Sequence, residues 1–76
     1  MITLAEIGSN LSKCRKAHGY TQEALANDLN MSACNIRRIE HGTGNPKLET
    51  LLRIADHLRV DVTELLHTGN IARQKS

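Results

Sequence analysis

Arg37 and Arg38 stand side by side near the middle of the chain, preceded by the small residues Ala33 and Cys34 and by Asn35. Read as a helix, the segment 32–41 places Ile36 and Ile39 on one face and leaves Ala33, Cys34, Asn35, Arg37, Arg38 and His41 on the others. A purely structural helix usually fills its exposed side with mixed glutamate and lysine. This one is small, then polar, then doubly basic. Small side chains let a helix approach a duplex closely, and the arginine fork offers paired donors to guanine edges or to phosphates. Cys34 has little hydrogen-bonding capacity and suits an apolar contact with a thymine methyl. Ordinary solvated charge is the competing reading of Arg37 and Arg38. The small, polar and doubly basic profile fits entry into a major groove.

Other reactive residues are scattered. Cys14 and His18 stand four apart, as two metal ligands on a helix would, but no second pair at zinc-site spacing accompanies them. Cys14 falls on an apolar stripe and reads as a small core residue. Cys34 lies beside two cations that would favour its thiolate, yet no resolving partner is placed to make it a redox switch. His41 at the end of the basic helix reads as a solvated residue suited to a helix C-terminus. His57 and His67 fit no pattern. No nucleophile has a base at an inferable spacing, no glycine-rich phosphate loop occurs, and the chain is too small to enclose a deep pocket. An enzyme is therefore not expected, and neither a metal nor another cofactor is called for.

The composition agrees. Seventy-six residues allow one small core, and with Tyr20 as the only aromatic residue that core must come from Leu, Ile, Val, Met and Ala. The lack of aromatic platforms argues against single-stranded nucleic acid as a ligand. Ten Lys and Arg against eight Asp and Glu give a formal charge of +2, which permits DNA binding without demanding it. No stretch resembles a membrane span or an export signal, and two cysteines twenty positions apart form no disulfide framework. These features lead to the expectation of a cytoplasmic protein with reduced thiols and no membrane partner.

The elements that would position the basic face follow from helical periodicity. Leu4, Ile7, Leu11 and Cys14 form a first apolar stripe, with Lys13, Arg15 and Lys16 near its end and Gly19 as its stop. Thr21 caps a second helix that carries Glu23 in its first turn and turns Leu25, Ala26 and Leu29 inward. Asn30 suits a left-handed turn, Ser32 caps the third helix, and Gly42 ends it. After the loop 43–46, Leu48, Leu51, Leu52, Ala55 and Leu58, with Ile54, repeat as the apolar face of a fourth helix. Asp61 and Glu64 have the spacing of a cap with an acidic third residue, and Val62, Leu65 and Leu66 give a short fifth helix its apolar side. The expectation is all-α, with five short helices in a domain spanning 1–67 and a flexible tail over 68–76. A tight turn of about three residues between the second and third helices makes residues 21–41 a helix-turn-helix.

Across residues 7–66 the chain resembles the helix-turn-helix family of the phage lambda repressor, Cro and Xre. The resemblance rests on an ordered series: Ile7-Gly8, Leu11, Arg15, Gly19, Thr21-Gln22-Glu23, Leu25-Ala26, Ile36, Ile39-Glu40, Gly42, Asn45-Pro46, Leu48-Glu49-Thr50-Leu51-Leu52, Ile54-Ala55, Leu58, Val60 and Glu64-Leu65-Leu66. It implies that Gln22 grips a phosphate at the start of the second helix. Ser32, Ala33, Cys34, Asn35, Arg37 and Arg38 would supply the other DNA contacts, with Arg37 and Arg38 on base edges or phosphates. Arg15 and Glu40 match a structural ion pair that holds the first helix against the third. The pattern is broken by Cys14 for a usual leucine, Asn30 for glycine, Lys47 for a serine or threonine cap, and Thr43-Gly44 for a loop that is often basic. The last change weighs against a strong backbone contact by that loop.

The resemblance thus implies a sequence-specific regulator of transcription that binds double-stranded DNA, blocking or recruiting RNA polymerase. One helix-turn-helix offers a small contact, so a homodimer reading an inverted repeat with half-sites about 34 Å apart is expected. Val62, Leu65 and Leu66 either close the core or lend some of their apolar surface to its interface. Two alternatives stand beside this reading. One is an antitoxin-like module that masks a toxin and also binds its own promoter. The other is the DNA-binding half of a longer ligand-sensing regulator.

Overall fold

The structure, a computed structural model, describes residues 2–67; Met1 and the segment 68–76 expected to form a tail lie outside the described residues. Five helices follow in order: α1 (Leu4–Ala17), α2 (Gln22–Asp28), α3 (Ala33–Glu40), α4 (Leu48–Leu58) and α5 (Thr63–Leu66). The described residues contain no strand.

Local chemistry sets the boundaries. Thr3 and Glu6 form a reciprocal capping box at the start of α1, with Thr3 Oγ1 accepting from the Glu6 amide at 3.2 Å and the Thr3 amide donating to Glu6 Oε1 at 3.0 Å. Thr21 and Ser32 cap α2 and α3 by accepting from the amides of Ala24 and Asn35. Lys47 offers α4 no side-chain cap, consistent with the missing serine or threonine. Asp61 Oδ1 accepts from the Thr63 amide at 3.2 Å and opens α5.

Leu11, Leu25, Ala26, Leu29, Ile36, Ile39, Leu51, Ile54, Ala55, Leu58 and Leu65 form the core. α1 packs against α3 and α5, α2 against α3, and α4 against α5. The contact between α1 and α3 is close enough that a Cβ at Gly8 would lie 2.3 Å from the Ile39 carbonyl oxygen. Only a glycine fits there. Asn10 is buried on the same helix and donates through Nδ2 to the carbonyls of Leu65 and His67, at 2.9 and 2.8 Å. This amide ties α1 to the end of α5.

Three leucines depart from the expected core. Leu4 is 40% exposed, since it lies a turn before the buried stretch that starts around Ile7 and Gly8. Leu48 and Leu52 are 61% and 47% exposed. Leu51, Ile54, Ala55 and Leu58 already fill the inward stripe of α4, which leaves Leu48 and Leu52 on its outer flank. Leu65, by contrast, is wholly buried, and Val62 and Leu66 pack against the core. The apolar side of α5 therefore closes the core.

Candidate nucleic-acid interface

The turn between α2 and α3 depends on Asn30, whose φ of 59° is left-handed. Asn tolerates this conformation better than most side chains, which explains how it replaces a glycine. The turn is closed by the Met31 amide, which donates to the Ala26 carbonyl at 2.8 Å. Leu25, Ala26 and Leu29 then face Ile36 and Ile39 across the α2–α3 contact. Burial of both isoleucines fixes the rotation of α3. The opposite side must face outward.

That side carries Cys34, Arg37 and Arg38, three and four positions apart, all exposed. Neither guanidinium group forms an ion pair or hydrogen bond with another described residue, so both are free to meet a ligand. Asn35 is exposed beside them, Ala33 is half-buried at the first turn, and the exposed Ser32 already uses its hydroxyl as the helix cap. The sequence-predicted residues of α3 are thus gathered on one surface. Of these residues Asn35 also lines a hollow between α3 and the following loop, together with Ile39, Gly44, Asn45, Pro46, Lys47 and Thr50. The exposed Lys47 supplies that loop with a cation of its own.

Gln22 begins α2 but is not a free side chain. Its Nε2 donates to Glu40 Oε1 at 3.0 Å. Glu40 is in turn gripped by Arg15, with Nε on Oε2 at 2.6 Å and Nη2 on Oε1 at 3.1 Å. The ion pair is almost fully enclosed, with side-chain exposures of 9% and 5%. Arg15 Nη1 also donates to the Tyr20 carbonyl at 2.7 Å. This network joins α1, the loop before α2, and the last turn of α3. It leaves Gln22 with one amide hydrogen and its carbonyl oxygen, held in a fixed direction.

The other candidate residues do not converge on a reactive site. Cys14 is half-buried against the core, and burial, reinforced by the Glu64 carboxylate, pushes its thiol pKa up. His18 Nδ1 pairs with the Cys14 carbonyl, not with its sulfur. Among the described residues no three His, Cys, Asp or Glu side chains are grouped to hold a metal, and no helix is long and apolar enough to cross a membrane. His57 Nε2 lies 3.0 Å from Asp28 Oδ2 and 3.2 Å from the Tyr20 hydroxyl, bracing α4 against the end of α2. Arg53 likewise reaches the Leu29 carbonyl.

Sequence reasoning missed these ties. The Thr3–Glu6 spacing was the one legible signal, being a capping box. Asn10 left only a faint trace, as a polar residue directly before the Leu11 of the apolar stripe. Pairings across 24 to 57 positions, such as those of Arg53 and Asn10, leave no local pattern.

A family profile described as helix-turn-helix matches residues 11–65. The chain is 35% identical over 60 residues to the transcriptional repressor RstR of a cryptic CTXphi phage in Vibrio cholerae, covering 79% of this chain and 54% of RstR. It is 34% identical over 59 residues to YonR, an uncharacterized prophage-derived transcriptional regulator of Bacillus subtilis, covering 78% and 55% of the two chains. The chain therefore spans about half the length of these curated relatives. Among solved structures, the restriction-modification controller protein C.AhdI of Aeromonas hydrophila superimposes with a TM-score of 0.77 at 31% identity, over 82% of this chain and 94% of that one.

Proposed function

The chain belongs to the helix-turn-helix family of transcription regulators typified by the lambda repressor and Xre, and on that premise we propose that it is a homodimeric, operator-specific repressor or controller. One observation supports this most directly. Ile36 and Ile39 lock α3 from behind while the unpaired Arg37 and Arg38 stand on its outer side. In the complex, α3 lies in the major groove. Arg38 and Arg37 reach base edges or phosphates, Asn35 contacts either, and Ala33 and Cys34 permit the close approach. Ser32 and Gln22 sit at helix starts beside the strand, where Gln22 offers a phosphate the amide hydrogen that Glu40 leaves unused. The protein acts in the cytoplasm on double-stranded DNA and needs no cofactor.

A single α3 reads few base pairs, so two copies on an inverted repeat supply the remaining affinity. Selection of bound sequences from a random duplex pool at two salt concentrations tests this reading. Enrichment of an inverted repeat, with affinity falling as salt rises, is the expected result. A pool that stays random at low salt overturns it.

Its coverage of only 54% of RstR favours a second reading, in which these residues are the DNA-binding part of a longer regulator. The length of the natural reading frame decides between the two.

A further inference from the structure

The side chains of α3 fall into lines along the helix. Residues four and then three apart stack on one side, so Ala33, Arg37 and Glu40 form one line and Cys34, Arg38 and His41 the next. Asn35 and Ile39 form a third, on the side that lines the hollow with Lys47 and Thr50. At about 100° per residue, Cys34 and Arg38 stand about 160° to either side of the buried Ile36, whereas Arg37 stands only about 100° from it. Burial follows the same division. Cys34, Arg38 and His41 are all exposed, while Ala33 and Glu40, which bracket Arg37 on its line, are both half-buried.

The line of Arg37 ends at Glu40, whose Oε1 accepts from Gln22 Nε2 at 3.0 Å. Arg37 therefore rises from the flank of α3 that is turned toward the start of α2. A helix seated in a major groove presents the line opposite its buried face to the base edges and its flanks to the two phosphate ridges. Resting on the DNA-binding reading above, we infer that the two adjacent arginines have different tasks: Arg38 determines specificity by reading a guanine, and Arg37 joins Gln22 in holding the phosphates of one strand.

The chemistry of the middle line narrows the operator. Cys34 is a weak donor and His41 stands at the far end of the helix, so Arg38 is the side chain of that line equipped for a bidentate contact. Guanine, with O6 and N7 side by side, is the base edge that accepts one. The main chain beneath Arg38 is fixed, its carbonyl accepting from the amides of Thr43 and Gly44, both at 3.0 Å. Its guanidinium has no partner among the described residues to give up. Cys34 stands one turn earlier, about 6 Å along the axis, a span of one to two base-pair steps. A thymine whose methyl meets Cys34 belongs within about two base pairs of that guanine.

Titration of modified duplexes by fluorescence anisotropy tests the division. The probe is the duplex enriched from the random pool, with each guanine replaced in turn by 7-deazaguanine, which lacks the N7 acceptor, and each thymine by uracil, which lacks the methyl. One guanine replacement should weaken the wild type about ten-fold and leave Arg38→Ala unaffected. Arg37→Ala should keep that penalty in full, bind every duplex more weakly by the same factor, and show a salt slope smaller by about one. A uracil within about two base pairs of that guanine should cost the wild type about three-fold, and Cys34→Ser should remove that penalty. All three residues are exposed, and circular dichroism checks that the variants fold. An Arg38→Ala variant that keeps the guanine penalty, or an Arg37→Ala variant that loses it, overturns the assignment. Thymine replacements that cost nothing remove Cys34 from it. A random pool that yields no enriched duplex overturns the DNA-binding reading instead.

Discussion

Glu40 Oε1 accepts two hydrogen bonds at once, from Gln22 Nε2 at 3.0 Å and from Arg15 Nη2 at 3.1 Å, so the side chain at the start of α2 is aimed by the ion pair that fastens α1 to α3. The structural ion pair and the proposed phosphate contact of Gln22 meet at one carboxylate. Glu40→Ala would strand an enclosed guanidinium, a loss of about 3–5 kcal/mol. Urea unfolding should show it as a lowered midpoint. Arg15→Met/Glu40→Leu removes both charges and should cost far less. The same double variant releases Gln22, so at full folding it should still bind the operator more weakly than wild type.

Arg38→Ala tests the outer face of α3. If Arg38 makes a bidentate base contact, its loss costs about 1–3 kcal/mol and relaxes preference at one base position. A phosphate contact would weaken binding evenly across operator variants and reduce the salt slope by about one. Titrating a panel of operator duplexes at several salt concentrations separates the two outcomes. Unchanged affinity across the panel removes Arg38 from the interface.

Gly8→Ala should be poorly tolerated even though alanine is the better helix former. The new Cβ would lie 2.3 Å from the Ile39 oxygen and 2.5 Å from the Glu40 oxygen, both backbone atoms that move only if α1 and α3 separate. Overpacking of this kind costs about 1–3 kcal/mol. Ser9→Ala, at the neighbouring exposed position, is the control and should be neutral or slightly stabilising. Thermal unfolding of the two variants distinguishes close packing from a general effect on α1.

The contrast between Ile36 and Leu52 shows what the sequence made legible. Periodicity alone placed Ile36, Ile39 and the opposing arginines, because a short amphipathic helix with two β-branched residues on one side has only one way to bury them. The caps at Thr21 and Ser32 and the turn at Asn30 were equally local, the caps set by hydroxyls bonding within a few residues and the turn by a residue type that tolerates positive φ. Leu48 and Leu52 looked the same as Leu51 in a pattern of apolar residues. Which flank of α4 is covered depends on where α1 and α5 lie, and that is a tertiary fact. Asn10 and Arg53 were hidden for the same reason, since their acceptors are main-chain carbonyls that every residue possesses. The exposed grouping of Cys34, Arg37 and Arg38 was legible; the tether of Gln22 to Glu40 was not.

The two positions that flank α4 offer stabilising substitutions. Arg59 ends the helix at φ 60°, a left-handed conformation that penalises a side chain with a Cβ. Arg59→Gly should therefore raise stability by about 1 kcal/mol, less the extra freedom glycine gives the unfolded chain. At the other end Lys47 leaves the helix without a side-chain cap, and Lys47→Ser should add about 0.5–2 kcal/mol. Calorimetry should find the two gains additive, since they act at opposite ends of the helix. A lower melting temperature for Arg59→Gly would mean that the arginine makes contacts worth more than the strain.

The two cysteines report on the interface without any substitution. Cys34 is exposed on the outer side of α3, whereas Cys14 packs against the core and its thiol is held protonated by burial and by Glu64. The thiolate is the reactive form, so iodoacetamide at neutral pH should modify Cys34 first and Cys14 slowly. Mass spectrometry of the digested protein gives both rates. Bound operator should slow modification of Cys34 many-fold and leave Cys14 unaffected, because α3 is covered while the core is unchanged. Prior alkylation of Cys34 should in turn block operator binding, since the adduct fills the space that Ala33 and Cys34 leave for the duplex. Equal rates at Cys34 with and without operator would place the DNA on some other surface, whatever the exposure of Arg37 and Arg38.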